Sequence, residues 1–76
     1  MSDTIRNVMA QIFGIPVEEI SANSSPGTIA QWDSLKHMQL IMALEEDLGV
    51  EFTDDMIPQL LSVEAIERAV LKLTND

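Results

Sequence analysis

The chain is predicted to be all-α: a small four-helix bundle of three main helices and one short one, with a long loop between the first and second helices. Three observations predict this. Apolar residues recur at helical spacing in separate segments. Gly14 and Gly49 stand where the first two of these patterns stop. No segment alternates apolar and polar residues as a half-buried strand must. A length of 76 residues suits a single domain, 1–76, and 46% apolar content gives it a thin core. No internal repeat is visible.

In the first segment Ile5, Val8, Met9, Ile12 and Phe13 fall at i, i+3, i+4, i+7 and i+8, with Ser2 or Asp3 as the cap and Gly14 as the stop. Pro16 disfavours a helical Ile15 and breaks the pattern. Residues 16–32 hold Pro16, Ser21, Asn23, Ser24, Ser25, Pro26 and Gly27, so they form a loop, with a helical turn at Val17–Ile20. A loop this long in a small domain has to be pinned by packing, and Ile20, Ile29 and Trp32 are its anchors.

The second helix runs from Asp33 to about Leu48 and stops at Gly49. The short helix has Thr53 or Asp54 as its cap and Met56, Ile57, Leu60 and Leu61 as its apolar side. It is one or two turns long, because Pro58 fits only in a first turn. Ser62 caps the last helix, whose apolar stripe is Ile66, Ala69, Val70 and Leu73. On a helical wheel of the second helix, Leu40, Ile41, Leu44 and Leu48 gather on one side. Leu35, Met38 and Met42 gather on nearly the opposite side, flanked by Glu45 and Glu46. That second stripe reads either as core against the long loop, covered by Trp32, or as an exposed docking strip rimmed by acids.

Thirteen acids against four bases give a net charge of −9, which argues against nucleic acid and anionic membranes and suits partners with basic patches. Asp33, Glu45, Glu46, Asp47, Glu51, Asp54 and Asp55 crowd the middle of the chain with Lys36 alone opposing them. No apolar run approaches the roughly 18 residues of a membrane span. Met1-Ser2-Asp3-Thr4 begins no secretory signal, and there is no cysteine. A cytoplasmic monomer is the expectation.

Ser34 follows the Asp33 cap at the first turn of the second helix, where unpaired backbone N–H groups and the helix dipole favour a phosphate. The sequence gives it no activating base. His37 is the sole histidine and falls beside the core stripe, where a satisfied boundary ring is the plainer reading. No His/Cys zinc spacing, calcium loop or glycine-rich phosphate loop is present, so no metal site and no enzymatic centre are expected. Ser34 reads as a serine that is modified, not one that catalyses.

The stretch Trp32-Asp33-Ser34-Leu35, followed by Leu40-Ile41-Met42-Ala43-Leu44-Glu45-Glu46-Asp47-Leu48-Gly49-Val50-Glu51-Phe52, resembles the acyl carrier proteins, as do the chain's size, acidity and helix order. The resemblance implies an acyl-carrier-like bundle. It also implies 4'-phosphopantetheine on Ser34, flanked by Asp33 and installed from coenzyme A by a phosphopantetheinyl transferase, with acyl groups held as thioesters on its thiol. Leu35, Met38, Met42, Glu45, Glu46, Glu51 and Asp54 match the face on which such carriers meet acyl-loading and acyl-transferring enzymes. The chain departs from the fatty-acid carriers in Gln31-Trp32 before the Asp-Ser pair, Lys36-His37 after Leu35, and Gln39. It departs again in the segment Pro26–Ala30 and the apolar short helix. These departures suit a polyketide or other specialised acyl pathway at least as well as fatty-acid synthesis. An aminoacyl or peptidyl carrier, or an unmodified acidic interaction module, are the alternatives.

Overall fold

The computed structural model describes residues 2–74. Helix α1 spans Ser2–Phe13, α2 spans Ser34–Leu48 and α3 spans Val63–Thr74. Two 3-10 turns, Val17–Glu19 and Ile57–Gln59, sit in the connections, and no strand occurs among the described residues. The all-helical expectation holds, and its short helix is a single 3-10 turn.

Helix α1 turns its apolar stripe inward: Ile5, Val8, Met9 and Phe13 are buried and Ile12 is half-buried. The sequence places its cap at Ser2 or Asp3, but the helix already includes both, so the capping position falls outside the described residues. Asp3 instead pairs with Arg6 one turn on, at 2.8 Å. Gly14 ends the helix in the left-handed region, at φ +69°, where its N–H and that of Ile15 both donate to the Ala10 carbonyl.

The loop before α2 is ordered from within. Ser24 Oγ accepts from the Ser21 N–H at 2.8 Å, and Thr28 Oγ1 accepts from the Ser25 N–H at 2.9 Å. Short hydroxyl side chains offer the backbone partners that helix and sheet do not supply there. Ile20, Ile29 and Trp32 are buried, as the anchors must be. One bond ties the loop to the far end of the chain: the Glu64 N–H, in the first turn of α3, donates to the Ala22 carbonyl at 3.0 Å.

Asp33 caps α2, with Oδ1 accepting the Lys36 N–H at 2.8 Å. Gly49 closes the helix at φ +65° with its N–H donating to Glu45. Any L side chain there would be strained although the space is open. Leu40, Ile41 and Leu44 are buried, and Leu48 is half-buried. Ser62 Oγ accepts the Ala65 N–H at 3.0 Å, capping α3 as expected. Val63, Ile66 and Val70 are buried, with Ala69 and Leu73 half-buried. Helix α1 packs against both α2 and α3.

The connection between α2 and α3 departs from expectation twice. No side chain caps the 3-10 turn. The Thr53 carbonyl, not the Thr53 or Asp54 side chain, takes the N–H groups of Met56 and Ile57. Leu60 is buried but Leu61 is 44% exposed. The turn ends at Gln59, and once helical geometry is lost neighbouring side chains point to opposite sides.

The ion pairs found among the described residues, Arg6–Asp3 and Arg68–Glu64, lie within α1 and α3 and include none of the exposed acids Glu46, Asp47, Glu51, Asp54 and Asp55. Those acids repel one another, and none of them has an ion-pair partner among the described residues. Raising ionic strength from about 0.01 M to about 1 M shortens the screening length from roughly 30 Å to 3 Å, so the melting temperature should rise with salt or with millimolar divalent ions. A salt-independent melting temperature would contradict this.

Candidate functional site

Ser34 is the first residue of α2 and is exposed. Its position is set by its neighbours on both sides. Asp33 caps the helix through its side chain, and Trp32, 4% exposed, is fixed in the core with its ring 5.2 Å from that of Phe13. A buried anchor and a cap thus hold an exposed hydroxyl at a helix start, beside backbone N–H groups whose dipoles point outward.

His37, one turn further along, is engaged at both ring nitrogens. The Trp32 indole N–H donates to Nδ1 at 2.9 Å, and Nε2 lies 2.9 Å from the Ile57 carbonyl. An indole nitrogen only donates, so Nδ1 is the acceptor and the neutral ring carries its proton on Nε2, which donates to Ile57. Neither nitrogen is left to take a proton from Ser34. The site holds a serine without a base, and chemistry at its oxygen requires one from elsewhere.

Next to Ser34 lies a groove of about 400 Å³, lined mainly by Trp32, Met38, Ile57, Pro58 and Leu61, with Ser34 itself in the lining. Along α2 from the serine, Leu35, Met38 and Met42 are 68%, 46% and 65% exposed. Their spacing puts them on one helical face. The core alternative for this stripe therefore fails: Trp32 turns inward to Phe13 and leaves the methionines uncovered. Glu46 continues the stripe and is exposed; Glu51 and Asp54 are exposed on the connection that follows.

Glu45 is a correction to the freely exposed acid the sequence suggested. It is half-buried, and its Oε2 accepts the Phe52 N–H at 2.9 Å. Phe52 is buried, its amide needs an acceptor, and the carboxylate at the end of α2 supplies it. Two contacts had no signal in the sequence: this one, and the bridge from Trp32 through His37 to Ile57. Each joins residues whose spacing fits no helical or strand repeat.

The model of the phosphopantetheine attachment site family matches residues 3–70. Acyl carrier protein of Sinorhizobium fredii is 30% identical over 63 residues, 83% of this chain and 81% of that protein. The chain belongs to the acyl carrier proteins. Acyl carrier protein 3 of Ralstonia nicotianae is 40% identical over 53 residues, which is 70% of this chain and 61% of that relative's length. The solution structure of the holo acyl carrier protein from Geobacter metallireducens superposes with a TM-score of 0.85 at 27% identity, covering 97% of this chain and 85% of that one. An acyl carrier protein is a carrier and not an enzyme, and it bears phosphopantetheine covalently. A serine without a base suits that role. Among the described residues, no helix of this carrier is long and apolar enough to cross a membrane.

Proposed function

We propose that this carrier bears its 4'-phosphopantetheine on Ser34 and presents acyl groups to a succession of enzymes along the Leu35–Met38–Met42 face. The observation that carries the reading is an exposed, capped serine at the start of α2 whose nearest imidazole is already committed at both nitrogens. The helix start, capped by Asp33, receives the phosphodiester, whose negative charge the helix dipole favours by about 0.3–1 kcal/mol. In the loading step the Ser34 oxygen bonds to phosphorus of coenzyme A. The bond from that phosphorus to the nucleotide breaks and 3',5'-ADP leaves. The serine proton passes to a base of the transferase. Once bound, the group supplies a terminal thiol, the only thiol on a chain without cysteine, and this holds the acyl load as a thioester. A cytoplasmic, monomeric carrier is part of the same reading.

Of the residues flanking the serine, Trp32 and His37 line the groove and bond to each other, so they distinguish the surroundings of the load from those of a carrier with small residues there. On that ground we place the protein in a specialised acyl pathway. Mass spectrometry of the protein purified from its own host tests the function: it should show the phosphopantetheine increment and an acyl group on it. An unmodified chain in an organism that modifies its other carriers would refute it.

Charge on the docking face should steer basic partners, and methionine should adapt to differing surfaces once docked. Glu46→Lys should slow labelling by the transferase and flatten its salt dependence while leaving helix content unchanged. Met42→Ala should weaken docking with little loss of stability, because Met42 is largely exposed already. Glu45→Lys is a poor probe of charge, since it also removes the acceptor of the Phe52 amide. If Glu46→Lys is labelled at the wild-type rate at every salt concentration, this face is not where the transferase docks.

A further inference from the structure

Sulfur is spread unevenly over this chain. There is no cysteine, so methionine supplies every sulfur atom the polypeptide itself carries. Among the described residues, Met9 is fully buried in the core and Met56 is half-buried against it. Met38 and Met42 are the exposed ones, at 46% and 65%. They stand four residues apart on α2, neighbours on the face that leads away from Ser34. Leu35 and Leu61, also exposed, show that apolar surface is made nearby without sulfur. Trp32, another oxidisable side chain, is buried. The thioethers that solvent reaches are therefore gathered on one contact surface.

Resting on that face as the docking surface, we infer that Met38 and Met42 form a reversible oxidation site through which peroxide slows loading of the carrier. In the step, a lone pair of the thioether sulfur takes one oxygen from hydrogen peroxide. The O–O bond breaks, the S–O bond forms and water leaves; the sulfur is oxidised and the peroxide reduced. A flexible apolar side chain becomes a polar, chiral sulfoxide. On Met9 that change would break the core, but on Met38 and Met42 it alters the surface and leaves the packing alone. Each sulfoxide oxygen must shed water to enter an apolar contact, and this opposes docking. One helical turn apart, the two act on the same contact. Reversal removes the oxygen as water while a dithiol is oxidised to a disulfide, with one reductase for each sulfoxide epimer. The link to loading has its own chemical sense: the group that loading adds ends in a thiol, which peroxide also attacks.

The test treats the full apo chain with hydrogen peroxide, removes the peroxide by gel filtration, and then adds coenzyme A and a transferase. Peptide mass mapping should find added oxygen on Met38 and Met42 before Met56, and none on Met9, while helix content and melting temperature hold. Labelling of the oxidised protein should slow severalfold. Methionine sulfoxide reductases for both epimers, with dithiothreitol, should restore it. In Met38→Leu/Met42→Leu the labelling rate, whatever its starting value, should be the same before and after peroxide. Equal oxidation of Met9 and the exposed pair overturns the site. So does a loss of helix content, which assigns the slowing to unfolding. Slowing that persists in the double leucine variant, or that the reductases leave in place, overturns it as well. Selective oxidation without slowing also overturns the proposal, and Met42→Ala then separates the two readings. If that variant is labelled slowly, the docking face stands and only the oxidation site falls; if it is labelled at the wild-type rate, the docking face falls too.

Discussion

Ser34→Ala should fold like the wild type and never gain the mass of phosphopantetheine when incubated with coenzyme A and a transferase. Both halves follow from the local structure. The helix start does not depend on the Ser34 hydroxyl, because Asp33 accepts the Lys36 N–H and Trp32 anchors the preceding loop. Alanine is the best helix former, so an exposed first-turn position tolerates it. The loss of loading should be total, since the substitution deletes the one oxygen through which the phosphodiester forms. Circular dichroism and thermal melting check the first half, and intact mass checks the second. Equal mass gain in the variant would move the attachment to another hydroxyl. Failure to fold would show that Ser34 is part of the helix start itself.

The second large effect is on stability. Leu44 is fully buried on α2 within the cluster that includes Ile5, Leu40, Ile66 and Val70. Leu44→Ala removes buried methylene surface and leaves a cavity, at a cost of about 2–5 kcal/mol. A whole domain has only about 5–15 kcal/mol in hand, and in one this small each kcal/mol moves the melting temperature by roughly 4–8 °C. The variant should therefore melt far below the wild type, whereas Met42→Ala, two residues earlier on the opposite face, should melt close to the wild type. Equal losses in the two variants would mean that α2 has no inner and outer side.

Much of this was legible because it is written in periodicity. The burial of Leu40, Ile41 and Leu44 follows from a repeat of 3.6 residues, while the ends of the helices at Gly14 and Gly49 and the caps at Asp33 and Ser62 follow from residue type where that repeat stops or starts. The serine was legible from its place after a cap and from the residues around it. What was not legible depends on contacts across the chain. The side on which Trp32 lies decided whether the methionine stripe was core or surface, and a wheel does not contain that answer. The inward turn of Glu45 depends on where the Phe52 amide arrives, and the exposure of Leu61 on how early the 3-10 turn ends. His37 could be placed at a boundary, but neither of its partners lies at a helical interval from it.

The bond from the Glu64 amide to the Ala22 carbonyl carries a consequence for how the molecule comes apart. It joins the most irregular stretch of the chain to the opening turn of the last helix, so loosening either one costs this bond. Breathing of the loop strips that turn of a partner, and fraying of the turn frees the loop. Hydrogen exchange at the Glu64 amide should therefore report the opening of the loop as well as of the helix.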